Sequence, residues 1–599
     1  MNIWWLSDFN RLEMERREID KLEEQEEWLQ GTTWILEKSI FCVEAEIIVN
    51  NGSYPIRMCY PDFFPAIPPT VRPQDTEARW SGHQYGTGGD LCLEWGPDNW
   101  HQGVTGAEML RSAHRLLSSE NPPGERQYQI EVQSRHSTTL GQDLRSMQCR
   151  FILTKEASEY LYALLKKKRN IEAIIQVVVN CNNNIICYLL RLETKDRLWT
   201  EKKIPNAMEQ FGHTLRTWVV KSSAPLKELE FDSSSNLKIW LFKEGYDSTK
   251  LDEKDEMNKP RIDSILLMDD EGNIDLVLRA GKKTEQPKRL RLGTILISDN
   301  DESLSRLGSL SEKLEGKKVG IVGIGSAGSK IALMLARSNV QKFLLVDDDI
   351  FLPENLVRHT LDWRNVGEHK VDGVALQINF VSAKASVETE KRRLVGQEPP
   401  SKVTTILKKL AKCDLIIDAT ACSRTFGLLA TIAHKATTPL IWLEIFAGGI
   451  GGIVARFRPG RDPDPLTIRT QILNFFSTRK IPEIITAGSY TASEPSGEIL
   501  VASDADVEVI SSYAALMALD IMTDTEPSAF HYSVYIVGLV QYKGLFDQPF
   551  HTIPLELKQR AISKHPPASE EKGVPSQDTL NFLRDLMEKN KVGRDNTST

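Results

Sequence analysis

The chain has 599 residues, with 74 basic and 82 acidic side chains and a formal net charge of −8 at pH 7. This length exceeds what one hydrophobic core supports and predicts about three domains. The acidic balance gives no global reason to expect a nucleic-acid or membrane-surface partner, and no apolar window approaches a membrane span. We therefore expect a cytoplasmic protein that acts on a small molecule or on another protein.

The eight cysteines are scattered along the chain, and no C-x-x-C pair occurs. Neither a secreted disulfide framework nor a tetrahedral zinc site is indicated. The cysteines are therefore expected to act singly, and the role of each depends on the residues around it.

Residues 1–145 predict an α+β domain. A charged amphipathic helix carries Phe9, Leu12, Ile19 and Leu22 at helical spacing, and its charged side is expected to be solvated. Strand-like runs follow in "WILEKSIFCVEAEIIV" and "YPIRMCYP", and then the proline-rich "PDFFPAIPPTVRP". Prolines this dense exclude a central strand and predict an irregular flap. The loop "GGDLCLEWGPDNW" and a second helix in "GAEMLRSAHRLLSSE" complete the domain.

Cys92 lies in that loop, between two leucines. It is either a buried structural thiol or a nucleophile held at the mouth of a site. The residues alone leave both interpretations open.

Residues 146–295 alternate apolar runs such as "IEAIIQVVVN" and "NIICYLLRL" with polar stretches. This pattern predicts a mixed α/β connector domain, in which we find no catalytic constellation.

The segment "KVGIVGIGSAGSKIALMLARSNVQKFLLVDDDIF" predicts a strand, a glycine turn, a helix and a second strand. Gly323, Gly325 and Gly328 provide a tight turn, close approach to phosphates and close packing of the helix on the strand. Asp347 ends the second strand, where a carboxylate can accept ribose hydroxyls. A dinucleotide dehydrogenase and an ATP-dependent enzyme would both satisfy this pattern.

The residues that follow favour ATP. Asn355, Arg358 and Lys370 come shortly after Asp347, and Asp418 ends a later strand in "IIDAT". Fixed cations can hold a triphosphate and stabilise charge on departing pyrophosphate, whereas hydride transfer creates no such charge. Asp418 is placed to hold Mg²⁺ against the phosphates.

Over about residues 300–545 this pattern resembles the adenylation domain shared by ThiF and MoeB proteins and the ubiquitin-activating enzymes. The resemblance implies a Rossmann-like ThiF-type domain over 296–560, in which Asn355, Arg358, Lys370 and Asp418 bind ATP and magnesium. It also implies a homodimer. Arg306 is a further candidate for phosphate contact, and a solvated helix arginine is the alternative. Residues 561–599 are expected to form a flexible or docking tail.

Residues 1–145 resemble a ubiquitin-conjugating domain in their element order, in the proline flap, and in His83, the "LCL" around Cys92 and Trp100. The resemblance implies that Cys92 carries a protein as a thioester and passes it to an amine. Members of that family commonly read His-Pro-Asn before the cysteine, and this chain has His83, Gln84 and Tyr85. The asparagine that would stabilise the oxyanion is therefore missing.

A fused activating and conjugating pair of this length resembles the CD-NTase-associated ligases of bacterial CBASS antiphage systems. The resemblance implies that the substrate is the C-terminus of a cGAS-like nucleotidyltransferase. The acceptor is expected to be an amine, a lysine or a small molecule. Composition and spacing do not identify this partner.

The chain departs from the pattern of such activating domains at one position, because they carry a catalytic cysteine of their own. In "GSYTASEPSGEIL" that cysteine would stand at Ala492, and we hypothesise that alanine replaces it, naturally or by engineering. Ser493 and Cys422 are weaker nucleophile candidates, because an unassisted hydroxyl reacts poorly and Cys422 is expected to begin a helix beside the nucleotide. Two other functions stay open: a ThiF-like enzyme that transfers sulfur to the adenylate, and a non-catalytic scaffold that binds nucleotide and a partner tail.

Overall fold

The computed structural model describes residues 3–50, 52–85, 88–120, 139–144, 147–167, 171–179, 184–194, 197–279, 286–297, 307–479, 491–493 and 499–558, and residues 577, 581, 582 and 584. The chain divides into two compact units, Met1–Ser146 and Met147–Thr599. Every helix within the described ranges is too short or too polar to cross a membrane.

The first unit contains a four-stranded antiparallel sheet and two helices of more than ten residues. The strands follow one another in space as in sequence: β1 Leu29–Glu37, β2 Ile40–Val49, β3 Gly52–Tyr60 and β4 Thr70–Pro73. The helices are α1 Trp4–Ser7, α2 Phe9–Gln25, α3 Gly106–Glu120 and α4 Leu140–Asp143. The predicted order of helix, strands, proline-rich stretch, cysteine loop and helix is confirmed. The proline-rich stretch is not wholly irregular, however, because its last four residues form the edge strand β4.

One hydrophobic core joins these elements. Alternate residues of β2, such as Val43, Ala45 and Ile47, are buried on one face of the sheet, as the two-residue period of a strand requires. Ile19 of α2 and Leu110 of α3 pack into the same cluster. The sheet therefore has one face covered by helices.

The charged side of α2 is not wholly solvated, contrary to the prediction. Arg11 and Glu15 are buried and lie 2.8 Å apart as an ion pair. Glu15 also accepts hydrogen bonds from Tyr60 Oη (2.8 Å) and from the backbone N–H of Gly106 (2.6 Å). Burial raises the pKa of Glu15. Phe9, by contrast, is exposed.

The second unit begins with an eight-stranded mixed sheet. Its order is β5-β12-β11-β10-β9-β6-β7-β8, and β5 also pairs with β7, which closes the sheet on itself. The strands are β5 Cys149–Thr154, β6 Ile171–Val179, β7 Ile185–Thr194, β8 Arg197–Thr200, β9 His213–Lys221, β10 Ser264–Met268, β11 Ile274–Leu278 and β12 Lys288–Ile297. Helices α5 Lys155–Lys167 and α6 Ser234–Lys243 accompany it. The sequence predicted strands and helices in this region, but it did not predict that β5 and β7 pair and close the sheet.

A second eight-stranded sheet has the order β15-β14-β13-β16-β17-β18-β21-β22. The strands from β15 to β17 in this order run parallel, and the other three pair antiparallel. The strands are β13 Lys318–Val322, β14 Lys342–Val346, β15 Ser386–Glu390, β16 Leu415–Asp418, β17 Leu440–Phe446, β18 Gly451–Phe457, β21 Val534–Gly538 and β22 Thr552–Pro554. A separate hairpin pairs β19 Thr491–Ser493 with β20 Ile499–Val501.

Helices cover both faces of this sheet. They are α7 Leu310–Leu314, α8 Ser326–Arg337, α9 Lys370–Val381, α10 Pro400–Leu410, α11 Ser423–Ala436, α12 Pro465–Thr478 and α13 Asp504–Thr523. One core contains residues of α8, α9 and α13, and the other contains residues of α10, α11 and α12. The parallel strands β13, β14, β16 and β17 are largely apolar, since both faces of the sheet are covered there. In such a sheet, ligands bind at the carboxyl ends of the parallel strands.

The two sheets of the second unit are joined by an aromatic contact. Phe211 follows the short 3-10 helix Asn206–Gln210, and its ring meets Phe380 of α9 edge to face at a centroid distance of 4.9 Å. Other 3-10 helices are Leu226–Glu228, Ser248–Asp252, Pro353–Asn355, Trp363–Asn365 and Ala447–Gly449.

Candidate nucleotide and thioester sites

The turn after β13 brings the backbone of that strand against α8. Gly323 has φ of +87°, and a Cβ there would lie 2.9 Å from Thr420 Cγ2. A Cβ on Gly328 would lie 1.9 Å from the carbonyl oxygen of Gly323. Both positions therefore require glycine. Gly325, the N-cap of α8, has no side-chain cap, and a Cβ there would meet nothing within 4 Å. The helix N-terminus thus borders open space, where an anion can approach its N–H groups.

Asp347 is tied to this turn. Its Oδ2 accepts a hydrogen bond from the backbone N–H of Ile324 (2.6 Å), and its Oδ1 accepts one from Asp349 (2.8 Å). Burial raises the pKa of this carboxyl, and the two N–H donors oppose that rise. A carboxylate has about four acceptor sites, so two protein bonds leave capacity for the hydroxyls of a ribose.

His359 holds the same turn from the other side, and the sequence analysis missed it. Its Nδ1 accepts from the N–H of Leu361 (3.1 Å), so the proton is on Nε2, which donates to the carbonyl of Ile324 (2.9 Å). The ring is buried, and burial lowers its pKa to about 4. Ile324 is therefore bound through its N–H by Asp347 and through its carbonyl by His359. A single histidine in a loop has no periodic signal that could have identified this role.

Lys370 begins α9 and is buried. Its Nζ lies 2.8 Å from Asp349 Oδ2, and its backbone N–H donates to the Asp349 carbonyl (3.0 Å). Because Asp349 also donates its N–H to Asp347, the ammonium group is fixed near the glycine turn. The oxygens of Asp347, Asp348 and Asp349 lie within 4.8 Å of one another, and Lys370 offsets part of their charge.

Asn355 and Arg358 follow β14 but bind neighbouring segments. The Asn355 side chain accepts from the N–H of Leu352 (3.0 Å) and closes the short helix Pro353–Asn355. Arg358 Nη1 donates to the carbonyl of Ala502 at 3.4 Å, just before α13. Both side chains are half-buried.

Asp418 lies at the carboxyl end of β16, where it pairs with Val322 at the end of β13. The carboxyl group is buried, and burial raises its pKa to about 6. Its Oδ1 accepts from the hydroxyl (2.6 Å) and the N–H (3.0 Å) of Thr420. Thr420 also contacts the space above Gly323, so this carboxylate borders the glycine turn. An oxygen ligand in this position fits Mg²⁺.

Ala492 lies in β19, opposite Leu500 of β20. This hairpin lies against the turn Ala447–Gly449, which follows β17. The structure thus brings the backbone of position 492 to the carboxyl edge of the parallel sheet. Arg306 lies outside the described residues.

Cys422 is the N-cap of α11, as expected from the sequence. The backbone N–H of Thr425 holds the pKa of its thiol below the usual range. This half-buried thiol comes four residues after Asp418 in the sequence.

Cys92 is half-buried in the first unit. Its N–H donates to the carbonyl of His83 (2.8 Å), and its Sγ lies 3.5 Å from Tyr85 Oη. The Trp100 indole donates to the carbonyl of Pro65 (2.8 Å), which ties the loop after Cys92 to the proline flap. The backbone of Cys92 is therefore held by a hydrogen bond, and its thiol is half-buried beside a tyrosine hydroxyl rather than enclosed in the core.

The ThiF family model matches residues 300–562. The C-terminal region has a ThiF-type α/β fold. The chain is 27% identical to protein y4oA of Sinorhizobium fredii over 37% of this chain and 39% of that protein. It is 31% identical to the ATP-dependent ubiquitin transferase-like protein Cap2 of Enterobacter hormaechei, over 24% of this chain and 23% of that protein.

Among solved structures, Escherichia coli MccB with ATP matches at 16% identity and a TM-score of 0.32, over 44% of this chain and 74% of MccB. The matched segments span about two fifths or less of the length of these two curated relatives.

In the ThiF-type region, hydrogen bonds, an ion pair and a close approach of the backbone link the glycine turn to Asp347, Lys370 and Asp418. Asn355 accepts from the N–H of Leu352, and Arg358 donates to the carbonyl of Ala502. His359 is the residue of this group that the sequence analysis did not name.

Proposed function

We propose that the chain is an ATP-dependent activating and conjugating enzyme. The ThiF-type region would join the C-terminal carboxylate of a partner protein to AMP, and Cys92 would carry the acyl group before an amine accepts it. One observation carries the first half of this proposal. The carboxyl ends of β13, β14 and β16 bring a glycine turn, Asp347 and Asp418 together at one edge of a parallel sheet.

In the adenylation step, a carboxylate oxygen of the partner forms a bond to the α-phosphorus of ATP, and the bond to pyrophosphate breaks. Gly323 and Gly328 let the backbone approach the phosphates, and Asp347 accepts ribose hydroxyls. Lys370 stabilises the charge that develops on pyrophosphate. Asp418 would hold Mg²⁺, which neutralises phosphate charge when bound.

In the transfer steps, a thiolate displaces AMP to give a thioester, and a second thiolate displaces the first. We assign the first thiol to position 492 in an active form and the second to Cys92. A lysine or small-molecule amine then forms the amide. The location of β19 at the sheet edge supports the first assignment, and the anchored, half-buried Cys92 supports the second.

The partner we propose is a cGAS-like nucleotidyltransferase, recognised by its C-terminal tail, and we propose that the enzyme is a homodimer. The similarity to Cap2, a protein named as ubiquitin transferase-like, supports the reaction class.

ATP–pyrophosphate exchange tests the adenylation step. We expect exchange that requires the partner with a free C-terminal carboxylate and that fails with the same partner amidated at its C-terminus. Lys370→Ala should lower exchange about 100-fold or more, because a buried cation is removed. Lys342→Ala, at the opposite, exposed end of β14, is the matched control and should leave exchange unchanged.

ATP binding without exchange in the presence of partner would contradict an enzyme and favour the scaffold. Exchange that leads to release of AMP only with sulfide would favour sulfur transfer.

The relay is tested with Ala492→Cys on non-reducing gels, with ATP, Mg²⁺ and partner. We expect a thiol-sensitive adduct in this variant. When Cys92→Ser is added, the first unit should no longer carry the adduct. The hypothesis about position 492 fails if Ala492→Cys forms no reducible adduct while pyrophosphate exchange proceeds.

A further inference from the structure

The segment before Cys92 is folded back on it. Gln84 and Leu91 form an isolated antiparallel bridge, Tyr85 donates its N–H to the Asp90 carbonyl (2.9 Å), and Cys92 donates to His83. Residues 83–85 therefore run alongside residues 90–92. This arrangement places residues 83–85 beside the segment that carries the thiol.

The Gln84 amide is used to build this fold. Its Oε1 accepts from the N–H groups of Trp80 (2.6 Å) and Ser81 (3.1 Å). Its Nε2 donates to the carbonyls of Gly89 (2.8 Å) and Ala78 (3.3 Å). Both acceptor sites and both donors of the amide are thus occupied. Gln84 cannot donate to a reacting carbonyl unless the turn opens.

His83 is directed elsewhere. Its Nε2 lies 3.9 Å from Glu120 Oε1, at the end of α3. The imidazole therefore lies beside an acid at the end of α3.

Tyr85 brings a hydroxyl to the thiol. Its Oη lies 3.5 Å from Cys92 Sγ, although 55% of the residue is exposed. A side chain this exposed contributes little to the core. A phenol O–H is a strong donor that keeps its proton at neutral pH.

The geometry points to Tyr85 as a catalytic residue, whose O–H stabilises the oxyanion formed when an amine attacks a thioester on Cys92. This inference rests on the proposed function of Cys92. In the step, the amine nitrogen forms a bond to the thioester carbon, and the carbonyl oxygen becomes an oxyanion that accepts from Tyr85 Oη. The C–S bond then breaks, the electron pair leaves with sulfur, and the proton lost by the amine neutralises the thiolate. Tyr85 retains its own proton throughout.

The distance fits this role. The reacting oxygen is bonded to the carbon that is bonded to Sγ, so a donor 3.5 Å from Sγ can reach it with a small rotation of the exposed ring. An oxyanion donor is matched to the transition state and not to the resting thiol, so the contact is expected to shorten as charge develops.

The test bypasses adenylation, so that the two steps can fail separately. Full-length protein is incubated with a fluorescent glycine thioester of 2-mercaptoethanesulfonate until loading of Cys92 is complete, and lysine is then added. We expect Tyr85→Phe to slow release of the acyl group to lysine about 100-fold, the typical cost of removing one oxyanion donor. Tyr54→Phe, a tyrosine of the same unit whose ring packs edge-on against Trp80, should release it at the unaltered rate.

Alkylation of Cys92 by iodoacetamide distinguishes catalysis from structure, because it forms no oxyanion. Tyr85→Phe should change the alkylation rate far less than the aminolysis rate. Equal losses in both reactions, or release to lysine at the unaltered rate, would overturn the role of Tyr85. If Cys92 accepts no acyl group, when compared with Cys92→Ser, the proposed function of Cys92 fails and Tyr85 has no step to catalyse.

Discussion

The glycine turn of the ThiF-type region and the loop of Cys92 are built in different ways. At the turn, Ile324 is held through both backbone groups, by Asp347 and by a buried His359, at the ends of parallel strands. In the loop, Cys92 is positioned by a short bridge and by the amide of Gln84. At the first site the close approach of Gly323 and Gly328 adds a steric constraint to these hydrogen bonds, whereas the second site is held by the bridge and the hydrogen bonds of Gln84. A substitution at the glycine turn should therefore disrupt the site by steric conflict. A substitution in the Cys92 loop should instead make the loop more mobile.

The largest effect is expected from Gly328→Ala. The new Cβ would meet the Gly323 carbonyl oxygen at 1.9 Å, which forces α8 away from β13. We expect calorimetry to show that ATP binding is lost. We also expect denaturant unfolding to show a loss of more than about 3 kcal/mol in the free energy of unfolding, which exceeds the usual cost of an overpacked core.

Gly427→Ala is the control for that variant. Gly427 lies inside α11, and a Cβ there meets nothing within 4 Å. Alanine should stabilise the helix by about 1 kcal/mol and leave ATP binding intact. Retained ATP binding in Gly328→Ala would contradict the steric account.

His359→Gln tests how far the turn depends on a neutral imidazole. The folded-state pKa of His359 is about 4, below its ordinary value of 6.5. Between these pH values the unfolded chain binds a proton that the folded chain does not. The free energy of unfolding therefore rises with pH across this window, by about 3 kcal/mol at most for this residue.

Glutamine does not titrate, so His359→Gln should flatten this part of the stability profile measured by urea unfolding at pH 4 to 7. His434→Gln, at an exposed position of α11, should leave the profile unchanged. An identical pH dependence in His359→Gln and the parent protein would show that burial of this ring does not govern the turn.

The smallest effect is expected from Gln84→Ala. Loss of a half-buried amide with four partners should cost about 1–2 kcal/mol, and hydrogen exchange should accelerate over residues 80–92. ATP binding should not change, because Gln84 belongs to the other unit. Gln30→Ala, an exposed position with one hydrogen bond to Glu27, is the matched control. Unchanged exchange over residues 80–92 would refute the role of Gln84 in holding the loop.

The sequence predicted the parallel sheet well, because strands buried on both faces are continuous apolar runs that end at Asp347 and Asp418. It could not predict His359, whose role depends on a carbonyl 35 residues away in the chain. It also predicted that the charged side of α2 is solvated, although Glu15 on this helix accepts from the first N–H of α3. Contacts between distant elements have no periodicity that a single sequence reveals. The roles assigned to Cys92 and Ala492 stay predictions.

The Phe211–Phe380 contact has a practical consequence for dissecting the protein. Phe380 lies near the end of α9, and Lys370 begins the same helix, so the closed sheet before residue 298 supports a helix that carries a proposed ATP ligand. A fragment cut at residue 296 would uncover that aromatic ring and remove the support from α9. Nucleotide affinities measured on such a fragment would therefore describe a relaxed helix, and a truncation series should keep the chain from residue 147 onward.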